Sequence, residues 1–152
     1  MNDSVVRGRW AARLVALTVL VPLIGGCATA GSNGVEPTDS LAVGDCLFSP
    51  SARGDSAKVV HCGRPHSGQV VGIYRATGGP YPGPDLLAEE AQSYCASAFT
   101  EFVGSDPLTS VLDLFPLLPT ESAWADGDVN VVCVAATFDD LKVRQTFRNS
   151  HR

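Results

Sequence analysis

"PDLLAEEAQSYCASAFTEFV", residues 84–103, places Leu87, Ala91, Tyr94, Cys95, Ala98, Phe99 and Phe102 at three- and four-residue steps. Glu89, Glu90, Ser93, Ser97 and Glu101 fall on the other side. This is the period of a helix with one apolar stripe. Pro84 and Asp85 suit its first turn, and Gly104 can take the left-handed backbone that ends it. The spacing therefore predicts an amphipathic helix over 84–103 with Cys95 on its buried face. Such a helix needs an apolar surface to lie on.

Residues 129–138, "VNVVCVAATF", supply one. They are rich in β-branched side chains, and "ADGD" just before them is a turn signal. The stretch reads as a central strand with Cys133 in its middle. Shorter strands are expected at 45–48, 58–62 and 68–75. Leu112–Leu117 is expected as an edge strand, because Pro116 and Pro119 cannot donate to a ladder inside a sheet. The fold class is α+β: a small, mostly antiparallel sheet with one long amphipathic helix packed on it and two disulfides.

The disulfides follow from the compartment, which is written at the N-terminus. Arg7, Arg9 and Arg13 stand against one acid, Asp3, and precede an apolar run from Leu14 to Ile24. A basic start, a short apolar core and a small-residue exit make a secretory signal over residues 1–26. Eleven residues of helix reach only ~16 Å, against roughly 30 Å of hydrocarbon, so a spanning helix fits poorly. Pro22 weakens it further. Arg7 and Arg9 are separated by Gly8, so the twin-arginine signature is absent. "LIGGC", residues 23–27, resembles the bacterial lipobox, which implies that Cys27 is acylated and becomes the first residue of the exported chain.

Cys46, Cys62, Cys95 and Cys133 then remain, an even number in a small exported domain. Four cysteines allow three pairings, and spacing alone does not separate them. Local structure favours joining the neighbours Cys46 and Cys62 and stapling helix to strand through Cys95 and Cys133.

Past the signal the chain divides into a Gly-, Ser-, Thr- and Pro-rich tether at 27–43, a domain at 44–138 and a basic tail at 139–152. After residue 26 the chain carries eight basic and fifteen acidic residues. Lys142, Arg144, Arg148 and Arg152 all follow the last acid, Asp140. The acidic body repels phosphate backbones, which argues against nucleic acid as a partner. The tail either touches anionic headgroups or, the simpler reading, is solvated or folds back on the acidic body.

"HCGRPH", residues 61–66, looks like chemistry at first sight. An oxidised Cys62 cannot ligate a metal, however, and His61 and His66 do not converge on one face, so no metal site and no cofactor is expected. His66 is the better catalytic candidate, with Asp45, Asp126 or Asp128 to orient it. No serine sits in a nucleophile-elbow context, and paired cysteines cannot attack. The stretch reads as a strand end and a stapled turn, with His66 closing a loop through a backbone hydrogen bond. No catalytic residue is assigned.

"VGDCLFSP" (43–50), "VVHCGRPHSGQVVG" (59–72), "YPG" (81–83), the helix with Cys95 and "PTESAWADGDVNVVCV" (119–134) follow one another in a recognisable order. Together they resemble the septum-formation-related domain of actinobacterial lipoproteins, with its GDC, C-x-x-P-H, helical Cys and W-x-x-G-D…C signatures. The resemblance implies an envelope-exposed, membrane-anchored module with a part in cell division. It brings no activity, ligand or catalytic residue. Val129 stands where a basic residue often follows the Gly-Asp, and "DDLKVRQTFRNSHR" (139–152) replaces the usual glycine-containing ending.

The expectation is a non-enzymatic envelope lipoprotein on the outer face of the cytoplasmic membrane. It would bind or scaffold an envelope protein or cell-wall component. Trp124 is a candidate anchor, since tryptophan is frequent at interaction hot spots, although a loop tryptophan more often folds onto its own core. Phe115 and Leu117 are candidates for a patch on the edge strand, where a partner strand could add, unless the helix covers them. The alternatives are a carrier of an apolar ligand, which needs an internal cavity, and a cell-wall hydrolase or transferase using His66, which needs a lined cleft around it.

Overall fold

The computed structural model describes residues 34–52 and 55–152. The signal sequence, the lipobox and Cys27 lie outside them. Six strands form one antiparallel sheet: β1 (Gly34–Pro37), β2 (Cys46–Leu47), β3 (Ser56–Val60), β4 (Gly68–Arg75), β5 (Leu112–Leu117) and β6 (Asn130–Thr137). Their order is β1-β3-β2-β4-β6-β5. The long helix α1 (Pro84–Val103) links β4 to β5, and a single turn of helix, α2 (Glu121–Ala125), precedes β6.

The position of α1 follows from strand direction. β4 and β5 both run antiparallel to β6, so they are parallel to each other. The chain must therefore cross one face of the sheet between them, and a helix makes that crossover with its backbone bonds satisfied. Leu87, Ala91, Cys95, Phe99, Phe102 and Val103 are buried on α1, close to the stripe expected from the sequence. Tyr94 is the exception at 42 % exposed; its ring lies 5.6 Å from that of Tyr74. Gly104, with φ of 85°, ends the helix in the left-handed conformation.

The helix comes close to the sheet because β4 makes room for it. The ladder shifts register between Val70 and Gly72, and a Cβ on Gly72 would stand 2.6 Å from that of Ala98. Cys95 and Cys133 join at this contact, and Cys46 joins Cys62 across the β2–β3 end. The local reading of the four cysteines holds. In the chain-entropy model, loops of these lengths contribute roughly 3 and 4 kcal/mol, large for a domain of this size.

β6 is buried along nearly its whole length because both faces are covered. Val131, Cys133 and Ala135 join the helix-side core with Phe99 and Trp124. Val132 and Val134 join a second cluster with Leu41, Leu47, Val59, Val70 and Leu117.

Two boundaries differ from the expectation. The tether does not extend to residue 43: Gly34–Pro37 pairs with Ser56–Val59 as an outer strand, and Leu41 is only 4 % exposed. "GVEP" has no periodicity of its own and takes its order from the edge of β3. The basic tail is not a separate segment either. Val143 exchanges both backbone hydrogen bonds with His66, at 3.0 and 2.8 Å, and Phe147 is fully buried. Asn149 and His151 donate their backbone N–H groups to Phe102 and Val103 at the end of α1. Residues 141–152 form a strap from the His66 corner to the helix C-terminus.

Candidate functional site

The conspicuous residues of the C-x-x-P-H stretch meet at the corner where the strap crosses the sheet. His66 is fully buried, and its Nδ1 lies 2.8 Å from the carbonyl of Arg64. A carbonyl can only accept, so Nδ1 carries a proton, and Nε2 finds no hydrogen-bond partner among the described residues. The ring packs beside Phe147 at 5.7 Å. None of the expected acids reaches it: Asp45 accepts the N–H of Ala42 at 2.8 Å, Asp128 that of Asn130 at 3.0 Å, and Asp126 ends α2. The loop-closing hydrogen bond expected of His66 is present, and the imidazole is enclosed.

Beside it, Gln69 is buried and fully used. Its amide donates to the carbonyl of Gly44 at 2.9 Å, and its oxygen accepts from Phe147 N–H at 2.7 Å and Thr146 hydroxyl at 3.1 Å. Ser67, Ser49, Asp140 and Lys142 form a second closed network. Lys142 Nζ lies 2.7 Å from Asp140 Oδ1 and 4.3 Å from the centre of the Phe48 ring. Hydrogen bonds from Lys142 and Ser67 hold the Asp140 carboxyl below the usual carboxylate range. A serine next to a lysine is a pattern used in acyl transfer, but here the ammonium is tied to a carboxylate. It donates hydrogen bonds and has no free lone pair to take the serine proton.

Trp124 and the edge-strand pair are not exposed anchors. Trp124 is 7 % exposed, donates its indole N–H to Gly79 at 2.7 Å and meets Tyr81 edge-on at 5.8 Å. Leu117 is 2 % exposed within the second cluster, and Phe115 packs half-buried against it. Strand alternation turns residues 115 and 117 away from the helix into that cluster. His61 and His66 do not converge, His61 being exposed and His66 enclosed. Among the described residues no group of three or more His, Cys, Asp or Glu is placed to hold a metal ion.

An open concavity lies elsewhere, between α1 and β5, with a volume of about 1070 Å³. Cys95, Ala96, Leu114 and Pro116 give it an apolar lining, and Leu108, 93 % exposed, stands at one end. Glu89, Glu101, Asp106 and Asp113 also line it. Sequence reading assigned the helical acids to a solvated face and missed the concavity. The available signal is Ala88, Gln92 and Ala96, a ridge at four-residue steps beside the core stripe with small side chains at both ends.

The edge beside this groove is chemically blunted. The alternation of hydrogen-bonded and non-hydrogen-bonded pairs with β6 puts the N–H positions of Leu112, Leu114 and Pro116 on the outer side of β5. Leu112 donates to Ser110 Oγ at 3.0 Å, Leu114 donates to Asp113 Oδ1 at 2.9 Å, and Pro116 has no N–H. An incoming strand would find no free donor there, which is how an edge resists sheet extension.

Residues 28–133 match the family model described as Septum formation. Neither a curated protein nor a solved structure matches the chain. The match covers most of the chain, which therefore belongs to the septum-formation family, and this ties it to a cell-division or envelope role. No helix among the described residues is long and apolar enough to cross a membrane.

Proposed function

We propose that this septum-formation protein is a lipid-anchored, non-enzymatic binding module of the cell envelope, and that the α1–β5 groove is its binding surface. The observation that carries the reading is the contrast in access. The groove is open and apolar at its base, whereas the one histidine with a catalytic-looking context is fully enclosed. A hydrolase needs its base within reach of substrate, and a carrier of apolar ligands needs an enclosed apolar cavity rather than a groove lined by acids.

Anchoring rests on "LIGGC" and Cys27. Two or three acyl chains hold a protein at a bilayer stably, so the domain would work close to the outer face of the cytoplasmic membrane. Cys27→Ala is expected to release the protein from membranes or leave it uncleaved. Cleaved alanine variant that stays in the membrane fraction would remove the anchor from this reading.

The test of the binding surface is photo-crosslinking in intact cells from a benzophenone side chain at position 108, in the groove, beside one at position 141, on the strap. Both residues are well exposed, at 93 % and 67 %. Adducts from position 108 alone are expected, and adducts from position 141 alone would place the binding surface at the strap.

A further inference from the structure

The occupant of the groove can be narrowed by charge. Glu89 and Glu101 have neither a hydrogen bond nor an ion pair with any described residue, in contrast to the ion-paired Lys142 and Asp140. The Asp106 and Asp113 carboxylates accept only the N–H groups of Leu108 and Leu114, at 2.8 and 2.9 Å. No lysine or arginine among the described residues lines the groove. Two cations of the strap are held elsewhere: Lys142 on Asp140, and Arg148 over the ring of Phe102 at 4.1 Å. Four carboxylates therefore border one apolar trough and have no counter-charge among the described residues.

We propose that the groove receives a segment of a partner protein in which lysine or arginine alternates with apolar residues. It would be held by its side chains, without strand addition. This rests on the reading of the groove as the binding surface. The apolar lining takes the aliphatic side chains, and the stems of lysine or arginine can lie along the same surface with their heads at the acids. At physiological salt the screening length is about 8 Å, so each cation entering the trough is drawn chiefly by the acid nearest it. From Ala88 to Glu101 the helix rises about 20 Å, the reach of about six extended residues. The blunted edge of β5 offers no main-chain donor, so main-chain pairing is weakened and recognition falls chiefly to side chains.

The test uses the full chain in nanodiscs of uncharged lipid and dye-labelled peptides of about eight residues, an extended length slightly greater than the groove. All contain the same leucines, alternating with lysine, serine or glutamate, and a fourth is the lysine peptide with N-methylated backbone. By fluorescence anisotropy the lysine peptide is expected to bind at least about tenfold tighter than the serine peptide. Its affinity should fall as salt rises, and the N-methylated form should bind as well as the parent.

The triple variant Glu89→Gln, Glu101→Gln, Asp113→Asn should weaken the lysine peptide by about tenfold at unchanged melting temperature. If serine and lysine peptides bind the groove equally, the groove remains a binding surface and the cationic occupant is overturned. Lysine-peptide binding that the triple variant leaves intact, or that N-methylation abolishes, overturns it as well. So does a concentration-dependent dimer that protects Leu108 in place of peptide binding, because the occupant is then a second copy. Failure of every peptide to bind overturns it too.

Discussion

The His66 corner and the α1–β5 groove are both rich in polar side chains, and they differ in where those side chains are directed. At the corner Gln69 uses both ends of its amide, Lys142 is tied to Asp140, and His66 is enclosed with its proton on a backbone carbonyl. At the groove Glu89 and Glu101 meet no partner among the described residues, and the apolar surface between them is open. The residues that stand out in the sequence build the frame. The open groove is lined mostly by ordinary residues, among them alanines, acids and two prolines, with Cys95 shared between frame and trough. A signature rich in cysteine, histidine and tryptophan can thus record folding constraints rather than chemistry.

The contrast can be broken at its strongest point, the strap. Phe147→Ala removes a fully buried aromatic and should cost about 3–5 kcal/mol in urea unfolding. A loss below ~1 kcal/mol would mean that the corner is an ornament on a domain that stands without it.

The two disulfides sharpen the same comparison. Removing Cys95–Cys133, which closes the longer loop and joins helix to sheet, should cost about 4 kcal/mol, against about 3 for Cys46–Cys62. The reverse order would place the more important staple at the corner.

His66→Gln keeps a polar side chain but loses the ring against Phe147, with an expected cost of 1–2 kcal/mol, about that of a lost buried hydrogen bond. Thermal unfolding measures it, and an unchanged melting temperature would contradict a structural role. In the groove, Glu89→Gln with Glu101→Gln should move stability by no more than about 0.5 kcal/mol, since neither acid has a partner to lose. A larger drop would show that the rim belongs to the frame.

The smallest effect is a pH effect. The Asp140 carboxyl is held below its usual range, chiefly by the Lys142 hydrogen bond and then by Ser67. Its folded pKa lies below the unfolded one, so its contribution is complete above the unfolded value of about 3.9 and is lost as pH falls through the folded value. Amide exchange at Val143, whose N–H donates to His66, is expected to rise in that acid range before exchange within α1 does. Parallel behaviour of the two would dissociate Asp140 from the strap.

The helix was legible because its stripe is long and both ends are marked by Pro84 and Gly104. The cysteine pairing was legible because each cysteine lies in a strand, helix or turn whose neighbour can be guessed. β1 was not, since "GVEP" pairs only where β3 offers an edge. The strap was not, because its anchor is a single phenylalanine among charges, and one buried residue makes no period. Trp124, Phe115 and Leu117 looked like anchors because size and apolarity do not tell core from surface. The groove was illegible for a related reason: a concavity is a relation between two elements far apart in sequence, and acids on a helix read alike whether they border a trough or open water.

The most direct test sets frame against groove in one pair of strains lacking the native copy. One is complemented with His66→Gln, the other with Glu89→Gln, Glu101→Gln and Asp113→Asn, and each purified protein is melted alongside. The account predicts a lowered melting temperature for the histidine variant, with function reduced only in step with it. It predicts an unchanged melting temperature for the groove variant, with function lost. A histidine variant that melts normally and fails to complement, beside a groove variant that complements fully, would contradict it.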